Sequence, residues 1–287
     1  MTALPLHRRG FLAPLARVAG GDKLVTAALA VLTVLTVAAV LAPLIAPHDP
    51  DAVDLSATLS GSTPDHLLGA DQSGRDVLSR LIFGARTGLL GPLVVVLVST
   101  VLGTLIGVSA AWHGGAVDAV LSRAMELVFS FPALLLAIIL VAVLGPGPTA
   151  PVIAMSVAYA PYVGRLARSV ALREKGRPYI QAYQVQGWSG WMICVGHLLP
   201  NIAPLVLAQS AINFGYALMD LAALSFLGLG VQPPAADWGA MINDGSQALL
   251  QGAMLPALAP GAAIVITVVA FSTVGESIAD RVARRER

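Results

Sequence analysis

From Leu24 to Ala46 the chain runs for 23 residues without a charged side chain. About 20 apolar residues in a helix match the roughly 30 Å of a bilayer's hydrocarbon core. A secretory signal peptide has a shorter apolar core of about 7–15 residues, so this run predicts a retained membrane helix. Further apolar runs follow: Leu81–Trp112, a third reaching Leu144, Thr149 to about Val170, His197–Leu229, and Met254–Ile278. With 56% hydrophobic and 11% charged residues and a mean hydropathy of +0.79, the chain has far more apolar surface than a soluble domain can cover, and the excess must face lipid.

The few charges are sorted by position. Arg8, Arg9, Arg17 and Lys23 precede the first run against the single acid Asp22, which assigns residues 1–23 to the cytoplasm. Pro43 and Pro47 mark the far end of the span 24–46. Residues 47–80 carry Asp49, Asp51, Asp54, Asp65, Asp71 and Asp76 against Arg75 and Arg80, as an external loop would. Arg165, Arg168, Arg173, Lys175 and Arg177 return the chain to the cytoplasmic side after the fourth span, and the stretch from Gly230 to Leu250 has no Lys or Arg. Arg281, Arg284, Arg285 and Arg287 put the tail 281–287 inside. The charges therefore predict an all-α integral membrane protein with six transmembrane helices and both termini cytoplasmic, its core lying within 81–280.

Individual residues refine this plan. Gly103 and Gly107 form a small-xxx-small pair suited to close helix packing, with a hinge as the other reading. Phe131-Pro132 predicts a kink in the third span. Asp118 near a helix start favours the dipole, and Arg123 and Glu126, three apart, can pair. Asp71 to Asp76 lacks the spaced acids and closing glutamate of a calcium loop, so Asp71, Gly74 and Asp76 read as capping and turn residues, or as part of a surface where a binding protein lands. Pro233-Pro234 and Trp238-Gly239 suggest a rigid turn and an interfacial anchor on a hairpin capping a pore. Asp220 is an acid inside an apolar span, and with Asn213 it marks the bundle interior: a translocation path, a site for a cationic group, or a hydrogen bond to a neighbouring helix.

Several function classes drop out. A net charge of +1 argues against nucleic acid as a partner. Cys194 is the only cysteine, so no intrachain disulfide is possible. His7, His48, His66, His113 and His197 are widely separated without ligand spacing, and no metal site is expected. No serine, cysteine or metal constellation for catalysis is found; Ser73 beside Gly74 lacks a glycine-flanked elbow. The chain has no G-x-x-x-x-G-K-[ST] phosphate loop, so any ATP energy must come from other subunits.

The stretch from Tyr179 to Pro200, YIQAYQVQGWSGWMICVGHLLP, lies on the basic side and suits a short buried helix. Ala182 is small, Tyr179, Tyr183, Trp188 and Trp191 are large anchors, and Gly187 permits a sharp turn. By spacing alone it is either a docking element or an amphipathic helix resting on headgroups. Gln181-Ala182, Gly187 six residues after Gln181, and Leu199-Pro200 resemble the cytoplasmic EAA loop of ABC importer permeases. Five further blocks, in order, resemble the second permease of the dipeptide, oligopeptide and nickel importers: Leu68 to Leu81, Phe131 to Leu136, Val143 to Gly147, His197 to Asn201, and Leu224 to Pro234.

The resemblance implies a type I ABC importer permease architecture with a coupling helix inside the loop 171–195. It implies that Tyr179, Gln181, Ala182, Tyr183, Gly187 and Trp188 meet an ATPase. It also implies a second homologous permease, two ABC ATPase subunits that bind ATP and Mg, an extracytoplasmic substrate-binding protein and a place in the bacterial inner membrane. This chain itself is expected to bind no cofactor. Glutamine stands at 181 and tyrosine at 183 where the family usually has glutamate and alanine, which implies a neutral, roomier partner groove. Relatives also place their intramembrane acid where Leu221 stands, about 100° around the helix from Asp220. Peptide is the implied substrate, with nickel, haem and glutathione as alternatives within the family; an ion-coupled secondary transporter and an intramembrane enzyme are the alternatives outside it.

Overall fold

The computed structural model describes residues 23–285. Arg8, Arg9, Arg17, Asp22 and Arg287 lie outside that range. Among the described residues nine helices of eight or more residues form, and no strand does. They are α1 (Lys23–Val40), α2 (Val77–His113), α3 (Gly115–Phe129), α4 (Ala133–Leu144), α5 (Thr149–Lys175), α6 (Pro178–Val185), α7 (Leu199–Phe226), α8 (Trp238–Leu250) and α9 (Leu255–Arg285).

Among the described residues four helical stretches are long and apolar enough to cross a membrane: α1, α2, Gly190–Phe226 ending in α7, and α9 through Arg284. α3 and α4 qualify together as a fifth, bent by 81°. The expected kink at Phe131-Pro132 is therefore a sharp break. Proline cannot donate the bond that would continue α3 and pushes Phe131 toward extended backbone. α4 starts afresh, with Leu136 N–H donating to Pro132 O at 3.1 Å. α5 falls outside the apolar set because Arg165, Arg168, Arg173, Glu174 and Lys175 occupy its second half. Its apolar half is largely shielded by the bundle, so it needs less lipid-compatible surface.

α2 and α5 make the most extensive helix pair. Their backbones touch at three glycines: a Cβ on Gly103 would lie 2.8 Å from Gly164 N, and one on Gly107 would lie 2.9 Å from Arg168 N. That is the packing role expected of the small-xxx-small pair. α7 lies against α9, where Phe214 and Phe271 stack at 3.7 Å, and α1 closes on α9 through Ala28, Ala270 and Val274.

The elements place two polar clusters at opposite ends of α2. The acidic one gathers the α1–α2 connection, the start of α2 and the segment before α8. Asp76 caps α2, its carboxylate accepting from Ser79 N–H and Oγ, each at 2.7 Å. Arg80, only 2% exposed, donates to Pro50 O and Pro234 O at 3.1 Å and lies 3.6 Å from Asp71. Arg75 bridges Asp71 at 2.7 Å and Asp244 at 3.2 Å. So Asp71 and Asp76 do hold turns and caps.

Two expectations are corrected here. Trp238 is no interfacial anchor: it is 1% exposed, its ring lies on Gly84 and Gly88, and Nε1 donates to Leu81 O at 3.0 Å. Nor are the histidines all separate, because His48 and His66 meet with ring centroids 5.0 Å apart.

Candidate functional site

The basic end is built around the link from α5 to α7. α5 ends at Lys175, and Arg177-Pro178 restarts the chain as α6, since proline is tolerated in a helix's first turn. α6 ends in a Schellman turn: Gly187 N–H donates to Gln184 O at 3.0 Å and Trp188 N–H to Tyr183 O at 3.1 Å. Gly187 sits at φ +79°, the left-handed region, which other residues enter at a cost of about 1–2 kcal/mol. The motif is completed by contact between its flanking side chains, Tyr183 and Trp188, with centroids 4.9 Å apart. Tyr183 also stacks on His197 at 4.1 Å. Ser189 then caps a short turn, Gly190–Ile193, and a π-helical turn, Cys194–Leu198, feeds into α7.

Two sets of polar contacts fix the base of this projection. Glu174, 6% exposed, accepts from Tyr179 OH at 2.6 Å, Arg177 Nε at 2.9 Å and Asn201 Nδ2 at 3.3 Å. Asn201 Nδ2 also donates to Tyr179 OH at 2.7 Å, so one carboxylate ties α5, α6 and α7 together. Burial and the Glu174 carboxylate push the Tyr179 phenol up to about 12. Lys175 Nζ donates to Ala111 O and Trp112 O at 3.1 and 2.5 Å, capping the carbonyl end of α2. A Cβ on Gly190 would lie 2.5 Å from the Trp112 indole, so the turn after α6 rests on the end of α2 as well.

What α6 presents outward follows. Gln181, Ala182, Gln184, Val185, Gln186 and Gly187 are exposed, Val185 at 89%. The expected buried helix is corrected: only Ile180 is buried in α6, because a helix of about two turns on a polar base has just one face against the bundle. Tyr179 and Tyr183 turn toward the base and the turn, whereas Gln181, Ala182 and Gly187 face out and Trp188 is 40% exposed. The sequence reading missed Glu174, Lys175 and Asn201 as the residues that hold the helix. In sequence they read as surface charges and a span-initial amide.

A model described as the binding-protein-dependent transport system inner membrane component matches residues 103–287, most of the helical core and all of this projection. The chain belongs to that family. A second model, the N-terminal TM domain of oligopeptide transport permease C, matches residues 21–64. The chain is 35% identical over 260 residues to the probable D,D-dipeptide transport system permease protein DdpC of Escherichia coli K12, covering 91% of this chain and 87% of that one. It is 34% identical over 248 residues to the dipeptide transport system permease protein DppC of Haemophilus influenzae, covering 84% and 83%. It is 35% identical over 234 residues to the nickel transport system permease protein NikC of Escherichia coli K12, covering 82% and 84%. This permease is thus a multi-pass inner membrane component of a binding-protein-dependent transport system, and its all-α fold is that of the type I ABC permeases.

The other candidate residues lie deeper. Asp220 on α7 accepts from Tyr159 OH of α5 at 2.9 Å, the neighbouring-helix reading of the three. Asn213 is 3% exposed, with Gln209 Nε2 donating to its Oδ1 at 3.0 Å. At the basic end, Arg168 grips Asp118 with two bonds of 2.6 Å, joining α3 to α5, while the expected Arg123–Glu126 pair forms at 3.1 Å in the open.

Proposed function

We propose that this permease forms half of a peptide-importing pore and that α6 is its coupling helix, docking into an ATPase subunit. The observation that carries the coupling reading is the combination of an outward, polar-and-small face at Gln181, Ala182 and Gly187 with a base fixed to α5 and α7 through Glu174. Force applied to a helix held this way moves the membrane helices instead of bending a loop. The chain then crosses the membrane six times, by α1, α2, α3–α4, α5, α7 and α9. The Glu174 end faces the cytoplasm with both termini, and the Arg80 end faces outward with α8. ATP and Mg act on two partner ATPases, a second homologous permease completes the pore, and a binding protein delivers substrate to the Arg80 end. The chain itself catalyses nothing. Peptide follows from the relatives' names.

Gly187→Arg tests the coupling. With nothing within 4 Å of a Cβ there, the variant inserts and folds; its long cation and strained turn abolish ATP-driven uptake by blocking docking. Normal uptake in a correctly inserted variant removes the docking assignment. Uptake of labelled dipeptide and of labelled nickel by the wild-type assembly tests the cargo. Nickel transport without dipeptide transport overturns the peptide reading and leaves the coupling reading intact.

A further inference from the structure

We infer that the α1–α2 connection holds a divalent transition-metal ion between His48, His66 and Asp76. One donor atom from each of these residues lies within 4.8 Å of the others. His66 Nδ1 is 3.0 Å from Asp76 Oδ1 and His48 Nδ1 is 3.8 Å from Asp76 Oδ2. In a tetrahedral site with bonds of about 2.0–2.1 Å, neighbouring donors lie about 3.3 Å apart, a value the His66–Asp76 pair is already near and the wider separations must close to. His48 is the exposed member, so its ring is the one free to turn and close the set.

The surroundings are those of a built site. Asp76 is oriented by two bonds from Ser79, and the backbone N–H of His48 donates to the same Ser79 Oγ at 3.0 Å. His66 N–H donates to Thr63 Oγ1 at 3.0 Å, while His66 O accepts from Thr63 and Gly69 N–H at 2.9 Å. Ligands whose backbones and second contacts are fixed lose little entropy on capture. Two imidazole nitrogens and one carboxylate oxygen suit Zn²⁺, Ni²⁺, Co²⁺ or Cu²⁺ and not Mg²⁺ or Ca²⁺. His48 also lines an open cleft of about 730 Å³ with Asp49, Asp51 and Arg86, so water reaches its side of the cluster. The ion pins the connection near its start, middle and end, fixing the surface beside the buried Arg80. This assignment is independent of the peptide reading, and it makes the ion resident and not cargo.

The test uses the assembled transporter, free of histidine tags, loaded with Zn²⁺, passed through a desalting column without ATP or binding protein, and measured by atomic emission. About one zinc per copy of this chain is expected, undiminished by excess Mg²⁺ and Ca²⁺, with at least a tenfold loss of affinity in His48→Gln/His66→Gln. Equal zinc in wild type and double variant overturns the site, as does displacement by Mg²⁺ or retention only during ATP turnover. X-ray absorption at the zinc edge on the wild type gives the answer without a variant: two imidazoles support the assignment, and fewer overturn it.

Discussion

Replacing Tyr179 by phenylalanine removes one oxygen from the base of α6 and leaves the ring. That oxygen donates to a 6% exposed carboxylate at 2.6 Å and accepts from Asn201 at 2.7 Å. A hydrogen bond to a charged group contributes about 1.5–3 kcal/mol and a neutral one about 1 kcal/mol. Glu174 keeps Arg177 and Asn201 as partners, so the lower part of the range applies and the net loss is about 2 kcal/mol. This is local, because the affected contacts join three helix ends and no core residue moves. It raises the open population of the base roughly 30-fold at about 1.4 kcal/mol per decade. Amide hydrogen exchange over Pro178–Val185 in the assembled transporter reads that change directly. The amides there exchange up to roughly 30-fold faster in Tyr179→Phe while those of α9 are unchanged, and peptide imported per ATP hydrolysed falls. Unchanged exchange across α6 refutes the reasoning, since it means that the Glu174 cluster does not hold the helix.

Three more outcomes follow from other contacts. Because burial and Glu174 raise the Tyr179 phenol to about 12, its neutral form stabilises the base fully below the ordinary tyrosine value near 10, and that contribution is lost as pH climbs toward 12; the difference in ultraviolet phenolate titration between wild type and Tyr179→Phe should show one late-titrating group. Gly107→Val sets a side chain against the backbone of Gly164 and Arg168, which cannot give way as a side chain can, so it costs about 3 kcal/mol, at the top of the overpacking range, and lowers the thermal midpoint in detergent. Trp238→Ala empties the space over Gly84 and Gly88 and costs about 3–5 kcal/mol by the same measurement; a change within error would return Trp238 to the surface.

Features governed by local chemistry were legible in the sequence. Gly187 reads as a sharp turn because few other residues sit comfortably at φ +79°, and Gly103 with Gly107 reads as a packing face because four-residue spacing puts both on one side of α2. Asp76 reads as a cap because Ser79 follows at the right interval. Features made by distant segments were not. Trp238 is buried only because two glycines some 150 residues earlier leave a flat surface for an indole. Arg168 and Asp118 pair across 50 positions, and Glu174, set between Arg173 and Lys175, reads as one more solvated charge. His48, His66 and Asp76 are drawn together by a connection whose course is set by its contacts with Ser79 and Arg80. The 81° break was half legible: the proline announces an interruption, but the angle depends on what α4 packs against, chiefly α5.

α2 connects the two polar ends. Its 37 residues extend about 55 Å, well beyond a hydrocarbon core of roughly 30 Å, so its N-terminus reaches the Arg80 cluster and its last carbonyls reach Lys175. In its last third it is locked to α5 by backbone contact at Gly103 and Gly107, and contact of that kind allows little sliding. α5 in turn ends in Glu174, which holds α6. Any displacement of α6 therefore enters α5 through Glu174 and α2 through Lys175, and the pair carries it to the Arg80 end as one body. α3 is joined to α5 by the partly exposed Arg168–Asp118 pair, by Phe129 packed on Tyr162 at 4.3 Å and by the Arg165 guanidinium 4.1 Å over the Phe129 ring, with a break at Pro132 just beyond. Under the proposed coupling, a docking force at α6 would move the α2–α5 pair, and the break between α3 and α4 gives the chain a place to bend beside it.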